Sequence, residues 1–94
     1  MDTEERFNQF DNEYLNFDAV QDKRSYRPDL HAFLLLDDLF PNPGTDMVAA
    51  AEHDEFWLDV CDDKIAKLTD DQILELVRCG VRYDSGVGSL AMFA

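Results

Sequence analysis

The chain has few of the features that mark membrane or secreted proteins. Its longest apolar run, Ala32–Leu36, is far shorter than the roughly 20 residues of a membrane-spanning helix. The N-terminal sequence MDTEERF has no apolar segment, so we expect no signal peptide. The two cysteines, Cys61 and Cys79, are expected to be free thiols in a cytoplasmic protein.

Catalytic and metal-binding motifs are also missing. Neither cysteine lies at a predicted helix N-terminus or beside a basic cluster that would lower the pKa of its thiol. The glycine-containing stretch Asp84–Gly88 joins two predicted strands and lacks the lysine and the helix of a phosphate loop. His53, Asp54 and Cys61–Asp63 have no spacing that organises zinc or calcium. We therefore expect no enzyme activity, no metal and no cofactor.

Basic residues are scarce. Eight Lys and Arg face 21 Asp and Glu, which gives a formal net charge of −13. Such a charge repels nucleic acids and anionic membranes and attracts basic surfaces. We expect no direct binding to nucleic acid or membrane, and a partner with a basic surface. The alternative is that the charge only keeps the protein soluble.

The length and the 46% hydrophobic content predict a single folded domain. Residues 1–28 are expected to form an N-terminal helix and linker, and residues 29–94 a compact α+β core. The first helix is indicated by the helical spacing of four aromatic residues in residues 2–17. Core packing is the favoured role of this aromatic face, and docking of a partner or of a second copy is the alternative. Its members are Phe7, Phe10, Tyr14 and Phe17.

Within the core, apolar spacing predicts a helix over residues 29–40 and a short helix over residues 47–54. Alternating polarity in Glu55–Val60 predicts a strand. Thr69–Gln72 has the form of a capping box and opens a helix that ends at Gly80.

The segments Val81–Tyr83 and Ser89–Phe93 predict a C-terminal β-hairpin. The expected fold therefore has N-terminal helices packed on a three-stranded antiparallel sheet, with one helix between strands 1 and 2.

Acidic doublets recur along the chain, and one of them has a local explanation. Asp70 and Asp71 start a predicted helix, where the helix dipole favours carboxylates. Asp37 and Asp38 end a predicted helix, where the dipole disfavours them. A rigid display of carboxylates can occupy a groove that binds nucleic-acid phosphates with Lys and Arg. The predicted partner contacts are Asp37, Asp38, Asp62 and Asp63, with Glu4, Glu5 and Asp54 as secondary ones.

The runs FLLLDDLFPNPGTDMVAAAEHDEFWLDV and LVRCGVRYDSGVGSLAMF resemble small acidic proteins of bacteriophages and prophages. The segments DMVAAAEHDE and RCGVRYDS carry this resemblance, which spans residues 30–93. The resemblance brings no activity with it, but it implies a phage accessory protein in the cytoplasm of a bacterial host. By analogy with anti-restriction and anti-CRISPR proteins, it implies a DNA mimic that inhibits a host nucleic-acid-binding protein.

Overall fold

The computed structural model describes residues 2–41, 46–52, 54–58, 60 and 62–93 of the chain. These residues form an α+β fold, as predicted, with α-helices on an antiparallel sheet. The helices are α1 (Thr3–Asn8), α2 (Pro28–Leu39), α3 (Asp62–Ile65) and α4 (Asp70–Arg78). The strands are β1 (Val48–Glu52), β2 (Glu55–Leu58), β3 (Arg82–Asp84) and β4 (Ser89–Phe93).

The sheet has four antiparallel strands in the order β1-β2-β4-β3. The C-terminal hairpin is confirmed, because β3 pairs with β4 from Arg82–Ala91 to Asp84–Ser89. The central pair is β2 with β4, in which Trp57 lies opposite Ala91. The prediction of three strands missed β1. The two edges of the observed sheet are β1 and β3.

The helix predicted over residues 47–54 is wrong, because Val48–Glu52 is a strand paired with β2. Its alanines favour a helix only by a fraction of a kcal/mol per residue. Cross-strand pairing of Val48 with Leu58 and of Ala51 with Phe56 outweighs that preference.

The core lies between one face of the sheet and the helices. Leu58, Leu90 and Met92 supply the sheet side of the core, and all are at most 3% exposed. Phe33 of α2 stacks on Phe56 of β2 with ring centroids 5.7 Å apart. The helix side comes mainly from α2 and α4, through Ala32, Leu35, Leu36, Ile73, Leu76 and Val77.

The predicted capping box of α4 is confirmed. The Thr69 hydroxyl accepts a hydrogen bond from the Gln72 backbone N–H, and the Gln72 side chain accepts one from the Thr69 N–H. The helix ends before Gly80, whose φ of +92° is the left-handed conformation that glycine adopts easily.

The single helix predicted over residues 2–17 is wrong. α1 ends at Asn8 and is followed by 3-10 turns at Asp11–Glu13 and Phe17–Ala19. This segment still packs on the core: Phe7 and Val20 are at most 5% exposed and belong to the core cluster.

Polar contacts fix the N-terminal segment to the rest of the chain. The Arg6 guanidinium donates to the carbonyl oxygens of Ala66 and Leu68. The Arg78 guanidinium donates from Nε and Nη2 to the Glu13 carboxylate, at 3.1 and 2.6 Å. Residues 2–20, expected as part of an extension, are thus joined to α4 and to the link before it.

His31 is a polar side chain inside the core, at 1% exposure. Its Nδ1 accepts a hydrogen bond from the Arg24 backbone N–H at 3.1 Å, so the ring proton lies on Nε2. Nε2 then donates to Glu75 Oε2 at 3.1 Å. One imidazole therefore connects α2, the loop before it and α4.

Candidate acidic interaction site

In the part of the chain that the structure describes, four arginines neutralise acids within the fold. Each of these arginines forms an ion pair with one carboxylate. The pairs are Arg6–Asp70, Arg24–Asp38, Arg78–Glu13 and Arg82–Glu55. The acids that remain outside these pairs determine where the surface is most negative.

Three carboxylates from distant parts of the sequence meet around Tyr83 of β3. The Tyr83 hydroxyl donates a hydrogen bond to Asp62 Oδ1 at 3.1 Å. The Ser85 hydroxyl, two residues further along, donates to Glu4 Oε1 at 3.4 Å. Asp2, Glu4 and Asp62 all act on the phenol through their charges. We call these three carboxylates the acidic cluster.

The ionisation of Tyr83 reports the electrostatics of the acidic cluster. Partial burial, the hydrogen bond to Asp62 and the charges of Asp62, Glu4 and Asp2 all raise the pKa of Tyr83 above its ordinary value. Each of these effects disfavours the phenolate. The hydroxyl therefore stays protonated at neutral pH and holds Asp62 in place as a donor.

Two helix starts position the acidic cluster. Asp2 is the N-cap of α1, where Oδ1 accepts a hydrogen bond from the Glu5 N–H at 2.8 Å. Asp62 begins α3. α1 packs beside β3, and the Phe7 ring stacks on the Tyr83 ring with centroids 6.0 Å apart. The carboxylates are thus attached to ordered backbone and not to a loose tail.

The predicted partner contacts are only partly brought together. Glu4 and Asp62 meet at Tyr83, and their chain neighbours Glu5 and Asp63 are exposed. The remaining three residues lie in other elements.

Asp37 and Asp38 are exposed at the C-terminal end of α2, where Asp38 is paired with Arg24. Asp54 is exposed in the connection between β1 and β2. In the part of the chain that the structure describes, no hydrogen bond or ion pair links these residues to the acidic cluster. The ion pair with Arg24 gives Asp38 a local explanation that its position at a helix end does not.

The aromatic face that was the alternative interface points largely inward. Phe7 is 3% exposed, and Phe10 and Phe17 pack against the core cluster. The Phe17 ring meets the His31 ring edge-on at 5.7 Å. Only Tyr14, at 36% exposure, offers substantial surface, so these residues stabilise the fold.

Sequence reasoning missed Asp2, Tyr83 and Ser85 as parts of the site. Asp2 and Glu4 are separated from Tyr83 by almost the whole chain, and only the packing of α1 on β3 brings them together. Tyr83 carries one recognisable signal, an aromatic residue in a hairpin strand, and that pattern is equally typical of core packing.

Two observations concern thiol chemistry and metal binding in the described residues. Cys79 is buried, and its burial together with the charge of Glu75 raises the pKa of its thiol to about 12. A thiol of this kind is not a nucleophile at neutral pH. Within the described ranges, no group of three or more His, Cys, Asp or Glu residues could hold a metal ion. His53 and Cys61, which the sequence analysis considered as ligands, lie outside those ranges.

No helix in the described part of the chain is long and apolar enough to cross a membrane. Comparisons with protein-family models, with curated proteins and with solved structures found no match to this chain.

Proposed function

We propose that this protein is a non-enzymatic inhibitor that binds the basic surface of a nucleic-acid-binding protein. The acidic cluster at Tyr83 is the observation that carries this proposal. Three carboxylates held on helix starts form a fixed negative surface, and phosphate-binding Lys and Arg side chains accept carboxylates in the same way. The resemblance to small phage proteins supports a host defence protein, of the restriction or CRISPR type, as the target.

The ion pairs within the fold support the idea that the position of the remaining acidic residues matters for binding. Arg6, Arg24, Arg78 and Arg82 neutralise acids elsewhere in the fold. None of these pairs involves a member of the acidic cluster. Holding like charges close together disfavours the compact state, so a binding role gives this arrangement a compensating use.

The expected contribution of the acidic cluster follows from the energy of exposed charge pairs. Each such pair is worth about 0.2 to 1 kcal/mol. Three of them at a basic groove sum to about 0.6 to 3 kcal/mol, which corresponds to a roughly 3- to 150-fold change in Kd. Because these charges are exposed, the binding should weaken as salt shortens the screening length.

The test begins with a pull-down from bacterial lysate at low and at high salt, followed by mass spectrometry of the bound proteins. We expect nucleic-acid-binding proteins that elute at high salt. The affinity of the purified partner is then compared for two triple variants of equal net charge. The first changes the acidic cluster by Asp2→Asn, Glu4→Gln and Asp62→Asn.

The matched control changes three exposed acids outside the cluster, by Asp11→Asn, Asp18→Asn and Asp22→Asn. We expect the cluster variant to bind roughly 3- to 150-fold more weakly, and the control to bind almost normally. Equal losses in both variants would mean that net charge alone attracts the partner. A complex that resists high salt would contradict an electrostatic interface.

A further inference from the structure

The two edges of the sheet differ in how they are covered. β3 is only three residues long and packs against α1. β1 is five residues long, and all of its residues, Val48–Glu52, are exposed. It contains neither the proline nor the lysine that commonly protects an edge strand from pairing with another chain.

Among the described residues, none donates or accepts a backbone hydrogen bond on the outward side of Val48–Ala51. Within the residues that the structure describes, the backbone hydrogen bonds of Val48–Ala51 are those of the ladder with β2. An edge of this kind is a ready template for an additional strand. The register shifts between Val48 and Ala50, which is a β-bulge, so the regular part of the edge is short.

A groove of about 430 Å³ adjoins this edge. It is lined mainly by Ala49, Ala50, Trp57, Leu58 and Val87. Ala50 lies directly opposite Trp57 in the ladder. Because the Ala50 side chain is a single methyl group, a longer side chain from an incoming strand can extend over it and contact the indole ring.

The charges around β1 indicate which kind of strand can pair with it. Asp46 and Asp54 flank β1 and are exposed, and residues 46–60 contain no Lys or Arg. Antiparallel pairing of β1 with a second copy, centred on Ala50, would set Asp46 of one chain opposite Asp54 of the other. Like charges placed across a strand pair are destabilising, and two chains of net charge −13 repel each other as a whole.

We propose that β1 is a docking edge for an extended segment of a basic partner protein. The segment adds a fifth strand, with apolar residues opposite Ala50 and Ala51 and with Lys or Arg at both ends. Because the regular edge is short, backbone pairing alone gives a weak complex, and the flanking cations supply the remaining attraction. The inference is independent of the acidic cluster, which lies beside the opposite edge of the sheet.

The experiment uses the full chain and the fluorescence of Trp57, its single tryptophan. The probe is a short synthetic peptide with a centre of alternating valine and threonine and with lysines at both ends. We expect a saturable change in Trp57 emission. Two further peptides serve as controls: one carries N-methyl groups along one backbone edge, and the other replaces the lysines with glutamates.

Both control peptides should bind at least about ten-fold more weakly, because they lose the strand hydrogen bonds or the charge attraction. Ala51→Lys should weaken the binding of the lysine peptide by a similar factor. Ala66→Lys, at an exposed position outside the sheet, adds the same charge and should leave binding almost unchanged. The triple cluster variant should also bind this peptide, which separates the edge from the proposed inhibitory surface.

Equal binding of the N-methylated peptide would overturn strand addition, as would the absence of any saturable binding of the lysine peptide. The chain should also sediment as a monomer over the concentrations used. A dimer that Ala51→Lys dissociates would identify a second copy as the occupant and would overturn the basic-partner proposal.

Discussion

Replacing His31 tests whether one buried imidazole holds the N-terminal loop against the core. His31→Ala removes a side chain that is 1% exposed, and large-to-small changes in a core cost about 2 to 5 kcal/mol. It also leaves the Arg24 N–H without its acceptor, at a cost of about 1 kcal/mol or more. Glu75 is 34% exposed and can turn to water. We expect a total loss of about 3 to 6 kcal/mol, out of roughly 5 to 14 kcal/mol for a chain of this length.

Urea denaturation followed by circular dichroism measures this loss. With a slope near 1 to 1.5 kcal/mol per molar urea, the midpoint should fall by about 2 M or more. His31→Asn retains an acceptor close to Nδ1, and His31→Gln retains a donor close to Nε2, so each should recover part of the loss. A cost below about 1 kcal/mol for His31→Ala, at unchanged slope, would refute this account of His31.

Three further predictions concern α4, the hairpin and the buried thiol. Thr69→Ala should lower the free energy of unfolding by about 1 kcal/mol, whereas Thr69→Ser should not, as measured by thermal melting. The hydrogen bond from Trp57 Nε1 to Asp84 lowers the pKa of the Asp84 carboxyl. The ionised carboxylate therefore stabilises the fold fully above its unfolded-state pKa of about 3.9. This stabilisation is lost as the pH falls through the lower pKa of the folded state. The difference in the free energy of unfolding between the wild type and Asp84→Asn should therefore shrink as the pH is lowered from 5. A difference that stays constant would contradict this account of Asp84. In a Cys61→Ser background, Cys79 should react slowly with a thiol reagent at pH 8 and rapidly in urea, and rapid labelling of the folded chain would count against its burial.

The parts of the fold that were predictable from the sequence are those where local signals and tertiary packing agree. In α4, the Thr69 cap, the apolar stripe and Gly80 all favour the same helix. β1 shows the opposite case, because its alanines favour a helix while pairing with β2 requires a strand. Which preference prevails depends on a partner strand that no local window contains.

The N-terminal segment shows a second kind of failure. Phe7, Phe10 and Phe17 have helical spacing, yet consecutive tight turns also bring such residues to one side of the chain. Leu15 has a φ of 60°, which a helix does not allow. The Leu15 N–H instead donates to the Val77 carbonyl at 3.1 Å, so a long-range hydrogen bond replaces the next helical turn.

The candidate site was beyond sequence reasoning for a related reason. The acids were visible in the sequence, but their pairing was not. In the sequence, nothing near Asp38 explained an acid at the C-terminal end of a helix. In the structure, the loop before α2 places Arg24 beside it. Glu4 and Asp62 became neighbours only because α1 and α3 both begin near Tyr83.

The position of each acid in the cluster has a local explanation. These local explanations do not account for the fact that the three acids lie together. Asp2 caps α1, Glu4 lies in its first turn, and Asp62 starts α3, all positions where a carboxylate is favoured. Solubility depends mainly on the net charge of the surface. A basic groove, in contrast, recognises only carboxylates that lie together. The two triple variants carry the same net charge and differ only in position, so a difference in their affinity for one partner can come only from the geometry at Tyr83.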